Sequence, residues 1–244
     1  MRARAFVPLL AVPLLLAAAV WARLRVVPGP RADGSTLLAN GWTITPAGRA
    51  VSVGTLPLSL AVLGDGRVLA LTCGYWTNSL VVVDSGRWTV TDSVPLSAAW
   101  LGLANAADGS VYASGGTTNR VWRLREVSGR WQRADSAVLA DSGAALFAGG
   151  LALSADGQRL AVVAQLGDSV YLLDATTLRR TAAAATGSHP YTALFTPDGQ
   201  TLLVSNWGDS TLSRFAVAAN SLEPRGTIPV PPRPSSTPAT PCAA

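Results

Sequence analysis

Residues 191–218 read YTALFTPDGQTLLVSNWGDSTLSRFAVA, three apolar runs separated by an Asp-Gly pair at Asp198-Gly199 and an Asp-Ser corner at Asp209-Ser210. The same text recurs upstream. Asp65-Gly66 is flanked by LSLAVL and RVLALTC, Asp108-Gly109 by LGLANA and SVYASGG, and Asp156-Gly157 by GGLALS and QRLAVVA. The Asp-to-Asp steps are 43, 48 and 42 residues. Asp-Gly suits a hairpin because its backbone needs positive φ and its carboxylate can accept local N–H groups. From each of these aspartates to the Asn or Asp of the following corner (Asn78, Asn119, Asp168, Asp209) the offset is 13, 11, 12 and 11 residues, so one backbone template is being reused.

A repeat near forty residues with four short strands per copy predicts a β-propeller, an all-β ring of radial four-stranded blades. The blades fall at about 57–97, 98–140, 146–187 and 188–230. First and second strands are nearly continuous Leu, Val and Ala, as expected where both faces pack on neighbouring blades, whereas fourth strands are more polar, as at a rim. No long stretch of the body carries a 3.6-residue apolar period, which argues against a helical fold. Residues 44–53 (ITPAGRAVSV) read as a short hairpin or a lone outer strand, bringing the total to about four to five blades. The Pro-rich text PPRPSSTPATPCAA stands where a fifth inner strand is due, so residues 231–244 read as a disordered tail. A small closed ring is one reading. The other, favoured because the units look narrow, is an incomplete, open part of a seven-bladed ring.

Arg2 and Arg4 precede an apolar run from Ala5 to Val20, the pattern of a secretory signal or N-terminal anchor over 1–22. Residues 23–43, rich in Pro, Gly, Ser and Asp, read as a linker. The expected location is therefore periplasmic or extracellular, with the membrane touched only through residues 5–22 if they are not cleaved. Net charge is +5, but five of the 19 arginines lie within the first 31 residues; from residue 32 on, 14 arginines balance 14 acids, leaving no basic stripe for nucleic acid. The cluster Arg120, Arg123, Arg125, Arg130 and Arg133 reads as a charged outer hairpin guarding a sheet edge. Only Cys73 and Cys242 are present, which make no disulfide framework.

The corners, the His189-Pro190 entry and the third strands LVVVD and VYLLD resemble the YVTN repeat of the YncE-like propellers, over residues 44–230. The stretch opening at Asn40 (NGWTITPAGRAVSV) resembles the N-terminal propeller of bacterial exported proteins in which that propeller precedes an alkaline-phosphatase-like phosphoesterase domain. That family implies seven blades and a metal-bearing catalytic half. This chain has fewer repeats and none of the phosphoesterase text, so hydrolysis is not implied for it.

His189 is the only histidine, and no three His, Cys or acids stand at metal-ligand spacing, so no metal site and no cofactor are expected. Tyr75, Trp76, Trp100, His189, Tyr191, Asn206 and Trp207 fall in the loops that form one face of a propeller. They are the candidate ligand or partner face, because aromatic rims stack on sugars, peptides or protein surfaces. Trp100 and Trp207 can equally be wedges between blades, and His189 a side chain tied to a neighbouring blade's backbone. The reading is an exported, non-catalytic binding or scaffold module, part of a larger protein. One alternative is a lactonase-like propeller hydrolase, which requires His189 and acids converging at the channel. Another is an inactive truncated relic. Self-association of an open arc is a further expectation, since its end blades would expose apolar faces.

Overall fold

The computed structural model of the chain describes residues 27–45, 47–74, 77–139 and 144–230. The expected signal at 1–22, Tyr75, Trp76 and the tail at 231–244 lie outside the described residues. The chain divides into two compact units, Met1–Ala50 and Val51–Ala244.

In the first unit β1 (Gly29–Pro30), β2 (Thr36–Leu37) and β3 (Thr43–Ile44) form an antiparallel three-stranded sheet. The described part of the stretch expected to be linker, residues 27–43, thus carries short paired strands. Its turns are held by side chains: Asp33 Oδ1 accepts from Ser35 N and Oγ at 2.9 and 2.6 Å, and Asn40 Oδ1 accepts from Trp42 N at 3.1 Å. Such local bonds let short polar text adopt strands without a large core. Of the short hairpin or lone outer strand expected over 44–53, only Ile44 is in a strand among the described residues. Thr43–Ile44 ends the small sheet, and Val51 and Val53 instead pack as irregular chain on Val68, Ala70, Val81 and Val83 of the second unit.

The second unit holds four antiparallel four-stranded sheets, each a simple meander in chain order. Blade 1 comprises β4 (Pro57–Val62), β5 (Val68–Cys73), β6 (Asn78–Asp84) and β7 (Thr89–Pro95). Blade 2 comprises β8 (Leu103–Asn105), β9 (Val111–Ser114), β10 (Arg120–Val127) and β11 (Arg130–Val138). Blade 3 comprises β12 (Ala148–Leu153), β13 (Arg159–Ala164), β14 (Ser169–Asp174) and β15 (Arg180–Ala185). Blade 4 comprises β16 (Pro190–Phe195), β17 (Thr201–Asn206), β18 (Thr211–Ala218) and β19 (Ser221–Pro229). All four Asp-Gly pairs sit between first and second strands, with Gly66, Gly109, Gly157 and Gly199 at φ of 85°, 81°, 71° and 67°.

Consecutive blades pack face to face. Leu69, Leu71, Leu80 and Val82 of blade 1 meet Val111, Ala113, Leu124 and Trp131 of blade 2. Val163, Val170 and Leu172 of blade 3 meet Phe195, Leu202, Val204 and Phe215 of blade 4. Each such Leu or Val, fully removed from water, contributes about 1.5–3 kcal/mol. Fourth strands are largely exposed, as expected. First strands depart from expectation. β12 is buried on both faces, but β4 and β16 belong to the end blades, and there Leu60, Val62 and Leu194 are 69%, 65% and 66% exposed. The outward faces of blades 1 and 4 therefore do not pack on each other, and the four blades form an open arc, a partial β-propeller.

Candidate functional site

The blades are tied together on one face by their second corners. Asn119, in the left-handed region at φ 52°, ends the corner before β10; its Oδ1 accepts from the main-chain N–H of Leu146 and Phe147, at 3.1 and 2.9 Å, where the chain enters blade 3. Asp168, at φ 43°, does the same one blade later, its Oδ1 accepting from His189 N at 2.7 Å. The entry residues Phe147 and His189 also have positive φ, 56° and 49°. Asn and Asp tolerate this conformation because their side chains bond locally to the backbone.

This geometry positions the predicted residues. His189 is joined to the preceding blade through its backbone rather than its imidazole, whose Nδ1 lies 2.8 Å from Ser188 Oγ. Trp100 N donates to Ser114 O at 2.9 Å, and its ring meets Phe147 edge-on, centroids 5.1 Å apart at 84°. Trp100 is thus a wedge between blades 2 and 3. Trp207 is no wedge: it is 72% exposed and stands against Tyr191, centroids 6.2 Å apart at 66°. The backbone beneath it is fixed by Trp207 N donating to His189 O and Gly208 N to Ser188 O, both at 2.9 Å. Gly208 is required by this close approach, since a Cβ there would come within 2.7 Å of Ser188 Oγ and 3.0 Å of His189 Nδ1.

Tyr191, Ser205, Asn206 and Trp207 line a cleft of about 440 Å³. Asn206 is 2% exposed, and its Nδ2 donates to Thr211 Oγ1 at 2.8 Å and Ser213 Oγ at 2.9 Å. The amide can point only this way. Thr211 Oγ1 gives its proton to the Asp209 carboxylate at 2.6 Å, so toward Asn206 it can only accept. That hydroxyl, with the Ser188 N–H at 2.9 Å, holds the Asp209 carboxyl below its ordinary range. Asn206 Oδ1 is left buried with no donor. A buried acceptor without a partner costs about 1–3 kcal/mol, so its presence calls for a reason. Sequence reasoning named Asn206 as a loop-face residue but had no signal for this orphaned oxygen, which depends on the register of β17 against β18.

Ser188, His189, Asp168 and Asp209 also lie together, but both carboxylates bind main-chain N–H groups and neither bonds the imidazole. A nucleophilic triad needs an acid on the imidazole to orient it. Among the described residues no three His, Cys, Asp or Glu side chains stand close enough to share an ion. A larger cleft between blades 1 and 2, of about 840 Å³, is lined by Asp65, Arg67, Asp108, Arg125 and Glu126 among others, and these charges pair with one another: Arg67 forks onto Glu126 at 3.0 and 2.7 Å, and Arg125 meets Asp108 at 3.0 Å.

No family model and no curated relative matches this sequence. Solved structures do. The periplasmic gluconolactonase of Pseudomonas aeruginosa is 21% identical with a TM-score of 0.61, the alignment covering 80% of this chain and 62% of that one. A protein from Lactobacillus plantarum is 16% identical with a TM-score of 0.61, covering 82% and 63%. The Cps50 (Swd1) β-propeller domain of Myceliophteria thermophila is 15% identical with a TM-score of 0.59, covering 83% and 71%. The fold is that of a β-propeller. This chain spans less than two thirds of the length of the Pseudomonas and Lactobacillus proteins.

Proposed function

We propose that the chain is an exported, non-catalytic propeller module, of the kind its YncE-like repeat text resembles, that binds a ligand or partner through its loop face. The observation that carries this reading is the cleft at blade 4, where an exposed aromatic pair, Tyr191 and Trp207, stands beside a buried amide oxygen with no donor. Recognition sites combine apolar walls with few well-placed polar groups, and this cleft has that make-up. The basic and apolar N-terminal text supports export.

A second reading, a lactonase-like hydrolase, draws support from the similarity to the Pseudomonas gluconolactonase and from the grouping of His189 with Asp168 and Asp209. It is the weaker one because both carboxylates are spent on backbone. The experiment is a hydrolysis assay of the purified chain with glucono-δ-lactone and p-nitrophenyl phosphate. No turnover above buffer is expected. Lactone hydrolysis abolished by His189→Ala would replace the binding reading with the hydrolase one, and phosphate-ester turnover would reject both.

A further inference from the structure

We infer that the blade 4 cleft takes a neutral, pyranose-ring saccharide. The inference rests on the binding-module reading and gives its ligand a chemistry. Three features carry it. First, Trp207 presents its indole to solvent, 72% exposed, with Tyr191 edge-on to it and 41% exposed. A flat exposed indole gains most from a ligand with a flat apolar face, such as the C–H face of a sugar ring. Second, the unmet group at the cleft is an acceptor. Both Asn206 N–H bonds are committed to Thr211 and Ser213, so Oδ1 calls for a donor, which a ring hydroxyl supplies. Third, none of the four lining residues carries a charge at neutral pH, and the nearest charge is the Asp209 carboxylate behind Thr211, so nothing there compensates a phosphate or carboxylate. Ser205 adds a second hydroxyl at the wall, its Oγ accepting from Thr192 N at 3.2 Å.

The backbone that carries Trp207 is pre-set by the two bonds to Ser188 and His189. Little ordering is therefore needed on binding, which favours affinity for a small rigid ligand.

The test is titration of the full chain with cello-, malto- and chito-oligosaccharides, read by tryptophan fluorescence and calorimetry. Glucose 6-phosphate, gluconate and a proline-rich peptide are run in parallel. At least one neutral oligosaccharide should bind with Kd of about 1 mM or tighter. Trp207→Ala should weaken it by about tenfold or more, as expected for a central aromatic anchor. Because Trp207 and Tyr191 are surface residues, Trp207→Ala and Tyr191→Ala should leave the melting temperature unchanged, separating lost contact from lost folding. Tyr191→Phe, which keeps the ring, should retain binding. Absence of any saturable saccharide signal overturns the inference, as does saccharide binding that survives Trp207→Ala. Binding of the peptide or of glucose 6-phosphate at this cleft in place of neutral sugars overturns it too. None of these failures touches the non-catalytic reading, which falls only to turnover in the hydrolysis assay.

Discussion

Asn119 and Asp168 do with one side-chain oxygen what a ring must do at every joint: they hold the entry of the next blade. Asn119→Ala leaves the Phe147 N–H without its acceptor, takes one of two acceptors from the Leu146 N–H, and forces alanine into the left-handed region. It should therefore cost about 1–3 kcal/mol in urea unfolding, whereas Asn119→Asp, which keeps the acceptor and loses only the Nδ2 donation to Ala144 O, should cost less. The Asp-Gly aspartates work more locally. Asp65 and Asp108 are held below their ordinary range chiefly by the N–H of Arg67 and of Ser110, Asp198 chiefly by the Thr196 hydroxyl. Asp156 is lowered from 3.8 to about 2, first by the Ser154 hydroxyl, then by Gln158 N–H and Arg159. A carboxyl with a depressed folded-state pKa contributes stability above its unfolded value and loses it as pH falls through the folded one. Stability should thus be flat from pH 7 to about 5 and decline between about 4 and 2. Asp156→Asn should flatten that decline, as followed by circular dichroism during acid titration.

At the scale of the strand, each blade pairs its third and fourth strands with a register shift at an equivalent place: Val82/Val83, Arg123/Leu124, Leu172/Leu173 and Ser213/Phe215. In blades 1 and 3 a threonine marks it, Thr91 Oγ1 donating to Val82 O at 3.3 Å and Thr181 Oγ1 to Leu172 O at 3.1 Å. Bulges twist an outer edge away from pairing with another chain. The Arg67–Glu126 fork couples β5's approach to the far end of β10, both side chains about 30% exposed. Arg67→Lys, which cannot fork, should lower stability by about 0.5–1 kcal/mol, and the difference should shrink in 1 M salt.

The existence and order of the strands were legible because Asp-Gly corners and apolar runs are local signals. The bulges were not, since they answer to sheet twist rather than to a residue type. The fate of the two loop tryptophans was equally hidden. Trp100 and Trp207 each stand in loops at one face, but Phe147 of the next blade meets the first, while among the described residues the ring that meets Trp207 is Tyr191 of its own blade. Partners across a blade boundary are long-range facts. So is the orphaned Asn206 oxygen, which needs Asp209, Thr211 and Ser213 in register before it can be seen. The first-unit sheet was missed because two-residue strands carry no periodicity at all.

At the scale of the four-blade unit, the arc shows apolar surface at both ends, Leu60 and Val62 on blade 1 and Leu194 on blade 4. Exposed apolar patches on soluble proteins mark interfaces or association sites. The native chain should therefore bind a hydrophobic dye such as anilinonaphthalene sulfonate, and Leu60→Glu with Leu194→Glu should remove most of that fluorescence without a change in circular dichroism. Retained dye binding in the double variant would place the sticky surface elsewhere.

The hand-over from the Asn119 and Asp168 corners to the following entries makes the unit a row of links, each gripping only its neighbour. Pulled by its two ends in an optical trap, such a row should not give way in one rupture. It should yield in steps, one blade at a time, each releasing about 40 residues or roughly 140 Å of slack.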